Sequence, residues 1–121
     1  MADEGGERKR RRGKKPDGQD RANLIRAIDH SLRRCVLRAL LDSEEPRSPN
    51  EIKGILGLKL NSVAYHTRIL LRLGAVERAG NQMVRGAMEH FYLPTIEGDS
   101  PIEALLEETR EFDEEKIGQG K

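Results

Sequence analysis

Apolar residues in this chain come in short bursts at helical spacing, separated by Gly, Pro and acidic stretches. Leu24, Ile25 and Ile28 form the first such face and predict a two-turn helix from Asp20 to about Ile28. Leu32, Cys35, Val36, Ala39 and Leu40 then fall at i, i+3, i+4, i+7 and i+8, one side of a helix over residues 31–41. Arg33, Arg34 and Arg38 lie off that side, Asp29 is the expected N-cap, and residues 42–46 stop the helix. Ser48-Pro49-Asn50-Glu51 reads as a capping box with Pro at the first helical position. Ile52, Ile55 and Leu56 make the inner side of the two turns that follow, and Gly57 is the expected left-handed end. Another helix from about Leu60 to Leu73 turns Val63, Thr67, Leu70 and Leu71 inward before Gly74 ends it.

Beyond Gly74 the pattern changes. Residues 75–78 and 89–93 are β-prone, while residues 79–88 hold the turn formers Gly80, Asn81 and Gly86. That predicts a β-hairpin with a long, mobile, partly basic loop. Ser100-Pro101-Ile102-Glu103 repeats the capping arrangement of Ser48, with Ser100 as its cap. The next helix sets Ile102, Leu105, Leu106, Thr109 and Phe112 near heptad spacing, with acids on its other faces. So narrow a stripe on a helix that follows the domain predicts a partner helix. The expected organisation is a disordered arm over 1–19, a domain over 20–95, an acidic amphipathic helix over 99–117 and a disordered tail over 118–121.

Composition sharpens this picture. Hydrophobic and charged residues each make up 36% of the 121 residues, too polar a mixture for one globule throughout. With two Tyr, two Phe and no Trp, the core must rest on Leu, Ile, Val and Ala. No apolar run approaches the roughly 20 residues of a bilayer span, and the basic start lacks the apolar segment of a secretory leader. A single cysteine makes neither an internal disulfide nor a multi-cysteine zinc site. These features predict a small intracellular protein. Its net charge of +1 conceals an asymmetry: +2 over residues 1–20, +5 over 21–93 and −6 over 94–121. A basic body with a basic arm points to a polyanionic partner; an acidic tail does not.

Two helices joined by a Gly-centred turn, then a hairpin, is the order of a winged helix-turn-helix: mainly α, with one small hairpin. The first helix braces the second, which can offer its N-terminal outer face to a major groove roughly 12 Å wide. Five segments carry a family resemblance: His30-Ser31-Leu32-Arg33-Arg34, Ser48-Pro49-Asn50-Glu51-Ile52, Leu60-Asn61-Ser62-Val63-Ala64-Tyr65-His66, Leu73-Gly74-Ala75-Val76-Glu77 and Arg85-Gly86-Ala87-Met88-Glu89-His90-Phe91-Tyr92. Over roughly residues 20–93 the chain resembles ArsR-type winged helix-turn-helix regulators. The resemblance implies a bacterial-type transcriptional regulator, cytoplasmic and nucleoid-associated in a bacterial- or archaeal-type cell. It also implies a homodimer built by the outermost helices, with Leu24, Ile28, Ile102, Leu105, Leu106, Thr109 and Phe112 as the expected interface. Metal-sensing members carry a Cys-x-Cys pair on the first helix of the pair, or His/Asp/Glu sets on the terminal helices; here residues 51–56 hold no cysteine and residues 102–116 no histidine, so no metal is expected. Lys59 stands where a Ser cap is usual, and Thr67 where a Leu is usual.

The expected DNA contacts in the second helix are Lys59, Asn61, Ser62, Ala64, Tyr65 and Arg68, with Arg68 placed for a bidentate guanine contact. Ser48, Arg78, Gln82 and Arg85 are expected at phosphates from the helix start and the wing. Arg8, Lys9, Arg10, Arg11, Arg12, Lys14 and Lys15 of the arm offer sequence-independent contact, or simply solubilise the chain. His30 is positioned to bond an end amide, His66 and His90 read as packing residues, and Cys35 reads as a small buried hydrophobe. No phosphate loop, Gly-x-Gly-x-x-Gly, His-Glu-x-x-His or nucleophile elbow occurs, so neither catalysis nor a cofactor is expected. No small-molecule domain or membrane partner is expected either. The function expected is sequence-specific DNA binding by a homodimer. The alternatives are a winged-helix protein-interaction module and a nonspecific DNA-coating protein.

Overall fold

Capping residues set most of the boundaries in the computed structural model, which describes residues 18–120. The basic arm residues 8–15 lie outside that range. Helix α1 (Gly18–Ala27) starts inside the stretch expected as unordered arm, and α2 (Ser31–Asp42) follows after a short turn. The cap of α2 is His30 rather than Asp29: its Nδ1 accepts the Leu32 N–H at 3.1 Å. The helix begins at Ser31 as expected, so His30, directly before it, has its imidazole within reach of the second helical amide. Helix α3 (Pro49–Leu56) carries the predicted capping box, Ser48 Oγ accepting from the Glu51 amide and Glu51 from the Ser48 amide, each at 3.2 Å. Gly57 ends it at φ 71°, a conformation that favours glycine.

Helix α4 (Leu60–Arg72) crosses α3 and ends before Gly74, at φ 83°. Its N-cap Lys59 makes no side-chain cap bond. Val36, Leu37, Leu40, Ile52, Val63 and Leu70 meet in one core, to which Val76, Tyr92 and Ile96 also belong. In α1 and α3 the buried stripe is narrower than expected. Leu24 with Ile28, and Ile52 with the half-buried Leu56, take the i, i+4 line, while Ile25 and Ile55 are more than half exposed.

The hairpin of β1 (Val76–Val84) and β2 (Ala87–Pro94) replaces the expected long loop. Its antiparallel ladder runs from Val76 opposite Pro94 out to Val84 opposite Ala87, with an irregularity between Arg78 and Asn81. The turn is just Arg85 and Gly86, at φ 53° and 83°, a two-residue turn whose twist matches the strands. Gly80 falls in the irregularity and Gly86 in the turn, so the turn formers punctuate a strand instead of building a loop. Arg47 pairs with Tyr92 through both backbone bonds, at 3.2 and 2.9 Å, which seats β2 against the entry to α3.

The C-terminal segment forms two helices, α5 (Ser100–Glu108) and α6 (Arg110–Gly120), where one was expected, and α6 continues through residues 118–120 of the expected tail. Asp99 caps α5 in place of Ser100. Its Oδ1 accepts the Ile102 amide at 3.3 Å while Glu103 accepts from Gly98 at 2.9 Å, so the start signal sits one residue earlier.

A buried charge cluster joins this segment to α2. Arg38, expected off the buried side, is only 4% exposed, and Asp113 is fully buried. Arg34 grips Asp113 with two bonds of 2.8 and 2.9 Å, and Arg38 also bonds that carboxylate. Arg38 further donates to the Leu106 carbonyl and the Thr109 hydroxyl, both at 2.8 Å. The Asp113 carboxyl feels two opposed influences: burial raises its pKa, but the bonds and charges of Arg34 and Arg38 outweigh burial and hold it below the usual carboxylate value.

Candidate nucleic-acid interface

Packing decides which side of α4 is left for a ligand. Val63, His66, Thr67 and Leu70 are buried, so Asn61, Tyr65 and Arg68 point outward in an exposed row. Lys59 precedes them, also exposed, while Ser62 and Ala64 are half-buried beside the row. The row continues to exposed Arg72, one turn beyond Arg68. Sequence reasoning missed Arg72, although its i+4 spacing from Arg68 was the signal. Among the described residues none forms an ion pair with Arg68 or Arg72.

Ser48 does not join this surface. It is fully buried; its hydroxyl accepts from the Glu51 amide and donates to Glu89 Oε1 at 2.7 Å. The hydroxyl proton is therefore committed, and the expected phosphate contact at Ser48 is corrected. Asn50 Nδ2 donates to the other Glu89 oxygen at 3.2 Å. The Glu89 carboxylate thus sits at the start of α3, where a negative charge suits the helix dipole. It also ties the wing to the helix pair. Position 89 lies 41 residues from Ser48, too far for local spacing to reveal.

On the wing, Arg78 and Arg85 are exposed, Arg85 at the very turn, while Gln82 is half-buried opposite Glu89. Behind the row on α4, the His66 ring lies 4.5 Å from that of His30 and 5.1 Å from that of Tyr65. Burial lowers the His66 pKa, and the neighbouring His30 and Arg33 lower it further. Burial also lowers that of His30, together with Arg33, Arg34 and Lys116, against the pull of Asp29. Both imidazoles are thereby held toward the neutral form. Cys35 is buried against Arg38, and burial pushes its thiol up. Among the described residues, no three His, Cys, Asp or Glu side chains are grouped to hold a metal ion.

Residues 28–79 match a family model described as a helix-turn-helix domain. The fold is similar to the homodimeric winged helix-turn-helix DNA-binding domain of a possible ArsR-family transcriptional regulator from Mycobacterium bovis. That likeness has a TM-score of 0.55 at 18% identity over 76% of this chain and 79% of that one. The chain has a winged helix-turn-helix fold. HlyU from Vibrio cholerae is similar at 26% identity, with a TM-score of 0.54 over 71% of this chain and 87% of HlyU. A further ArsR family transcriptional regulator shows 22% identity and a TM-score of 0.51 over 77% of this chain and 94% of its own. No significant match is found among curated proteins.

Within this winged helix-turn-helix chain, the residues expected at a dimer interface divide. Leu24, Ile28, Ile102 and Leu106 are buried in the protomer's own core, and half-buried Thr109 bonds Arg38. Leu105 and Phe112 are 37% and 59% exposed, with Lys116 Nζ 5.7 Å from the Phe112 ring centre. No helix among the described residues is long and apolar enough to cross a membrane.

Proposed function

We propose that this winged helix-turn-helix chain is a sequence-specific, DNA-binding transcriptional regulator that acts as a homodimer on the chromosome of a bacterial- or archaeal-type cell. The observation that carries this reading is the outward row of Asn61, Tyr65 and Arg68 on a helix braced from behind by α3. Arg68 presents a planar fork that suits the two acceptors of a guanine edge, and Tyr65 adds a half-exposed ring beside it. Lys59, Arg72, Arg78 and Arg85 supply phosphate contacts around that row, and the basic arm extends them.

Arg68→Ala is expected to weaken binding to a duplex selected from a random library by about 10- to 100-fold, the worth of one good bidentate contact. Binding to random DNA should weaken far less. Fluorescence anisotropy on the two duplexes checks this, and equal loss on both would remove Arg68 from base readout.

The dimer reading draws on the homodimeric neighbour and on exposed Leu105 and Phe112. Two copies of α4 about 34–36 Å apart would meet half-sites one helical turn apart. Deleting residues 100–121 is a poor test, because Ile102 and Leu106 serve the protomer's core and Asp113 neutralises Arg38. Replacing Leu105 and Phe112 together by Glu touches neither. Light scattering is expected to report a monomer, and an unchanged dimer mass would put the interface elsewhere.

A further inference from the structure

The tip of the wing carries an unexpected pair. Met83 and Met88 are 61% and 51% exposed, and Met83 is the most exposed large apolar side chain among the described residues. They stand directly opposite each other in the ladder, one step from the Arg85-Gly86 turn. Residues alternate sides along a strand. Glu89 is held against Ser48 and Asn50, so Met88 and its partner Met83 occupy the opposite side, facing away from α3. Arg78, Asn81 and His90 share that side, and exposed Arg85 crowns it.

An apolar pair flanked by guanidinium groups on a stiff two-stranded tip has a specific chemical fit. Arginine is drawn into the strongly negative narrow minor groove. Unbranched, polarizable thioethers pack on flat apolar surfaces, and methionine is one of the side chains that proteins insert between base steps. We propose that Met83 and Met88 form a wedge which, guided by Arg85, enters the minor groove beside the site read by α4, parts a base step and bends the duplex. This rests on the DNA-binding reading above. It adds a contribution to specificity from DNA deformability, since the flexible pyrimidine–purine steps part most readily.

The test uses the full chain, a duplex selected by it from a random library, and dyes on the two duplex ends. The wild-type chain is expected to shorten the end-to-end distance measured by energy transfer. It should also raise the fluorescence of 2-aminopurine placed at the parted step. Replacing both methionines by Gln should abolish the bend and weaken binding about tenfold, the worth of burying one such side chain. Replacing both by Leu should keep bend and affinity. The exposed positions leave the fold intact, which matching unfolding midpoints of the three proteins would verify. A Gln variant that bends the duplex as the wild type does, or a wild-type complex that stays straight, overturns the wedge and leaves the DNA-binding reading standing. Failure of the wild-type chain to select any duplex overturns both. Methionine-dependent retention on anionic phospholipid vesicles, with the bound duplex straight, assigns the pair to a lipid surface and likewise overturns the proposal.

Discussion

Asp113→Asn is expected to lower the unfolding free energy by about 3–5 kcal/mol, the cost of leaving a buried charge without its partner. The substitution keeps the shape of the side chain, so little of the loss comes from packing. Arg34 has a partly exposed end and can turn toward solvent, but Arg38, at 4% exposure, has no such exit. For a domain of about 100 residues, a loss of this size lowers the midpoint of thermal unfolding by well over 10 °C. Arg110→Ala, which removes only exposed pairs with Asp42, Glu107 and Glu114, should cost under about 1 kcal/mol in the same measurement. Comparable losses in the two variants would show that the buried cluster has no special weight.

The same cluster shapes the response to acid. Asp113 titrates below the usual carboxylate value in the folded chain, so it contributes stability above its unfolded value, near pH 3.9, and loses it as pH falls toward the folded value. His30 and His66 act earlier. Their folded values lie below about 6.5, so the unfolded chain takes up protons first, and stability begins to fall as pH drops through 6.5. Urea unfolding across pH should therefore decline in two stages, and Asp113→Asn should remove only the more acidic one.

Binding to DNA is expected to fall by about 10³- to 10⁵-fold between 50 and 200 mM salt, on the order of what 6–10 phosphate contacts per dimer release in counterions. Lys59, Arg72, Arg78 and Arg85 in each of two protomers supply that number before the arm is included. Replacing the seven basic arm residues by Gln should flatten the slope without changing the preference for a selected over a random duplex. Anisotropy titrations at several salt concentrations measure both. A flat response, or no binding at low salt, would favour a protein-interaction module. One affinity for every sequence, dependent on the arm, would favour a DNA-coating protein.

The helix-turn-helix itself was legible because its signals are local. Ser48, Pro49, Glu51 and Gly57 define α3 within ten residues, and the spacing of Val63, Thr67 and Leu70 fixes the inner side of α4, hence the outward side of Tyr65 and Arg68. What escaped the sequence depends on distant partners. Arg34 and Arg38 read as solvated until α6 brings Asp113 to them across 79 and 75 positions. The Ser48 hydroxyl, read as a cap whose proton is left for a phosphate, has that proton taken once the ladder register delivers Glu89. The sequence predicts the hairpin but makes residues 79–88 a long loop within it, because Gly80 and Gly86 carry the same composition whether they break a strand or bend one. The heptad-like stripe from Ile102 to Phe112 mixed two jobs: Ile102 and Leu106 belong to the protomer's own core, while Leu105 and Phe112 stay outside.

The bonds from Ser48 and Asn50 to Glu89 fasten the hairpin to the start of α3, which packs against α4, so the wing and α4 are coupled like the jaws of a calliper. A binding site with a single base pair inserted between the two gripped stretches would displace one of them by roughly 3.4 Å along the axis. A hinged wing could follow that shift; a fastened one misses, so the proposed DNA reading carries a requirement for spacing as well as for sequence.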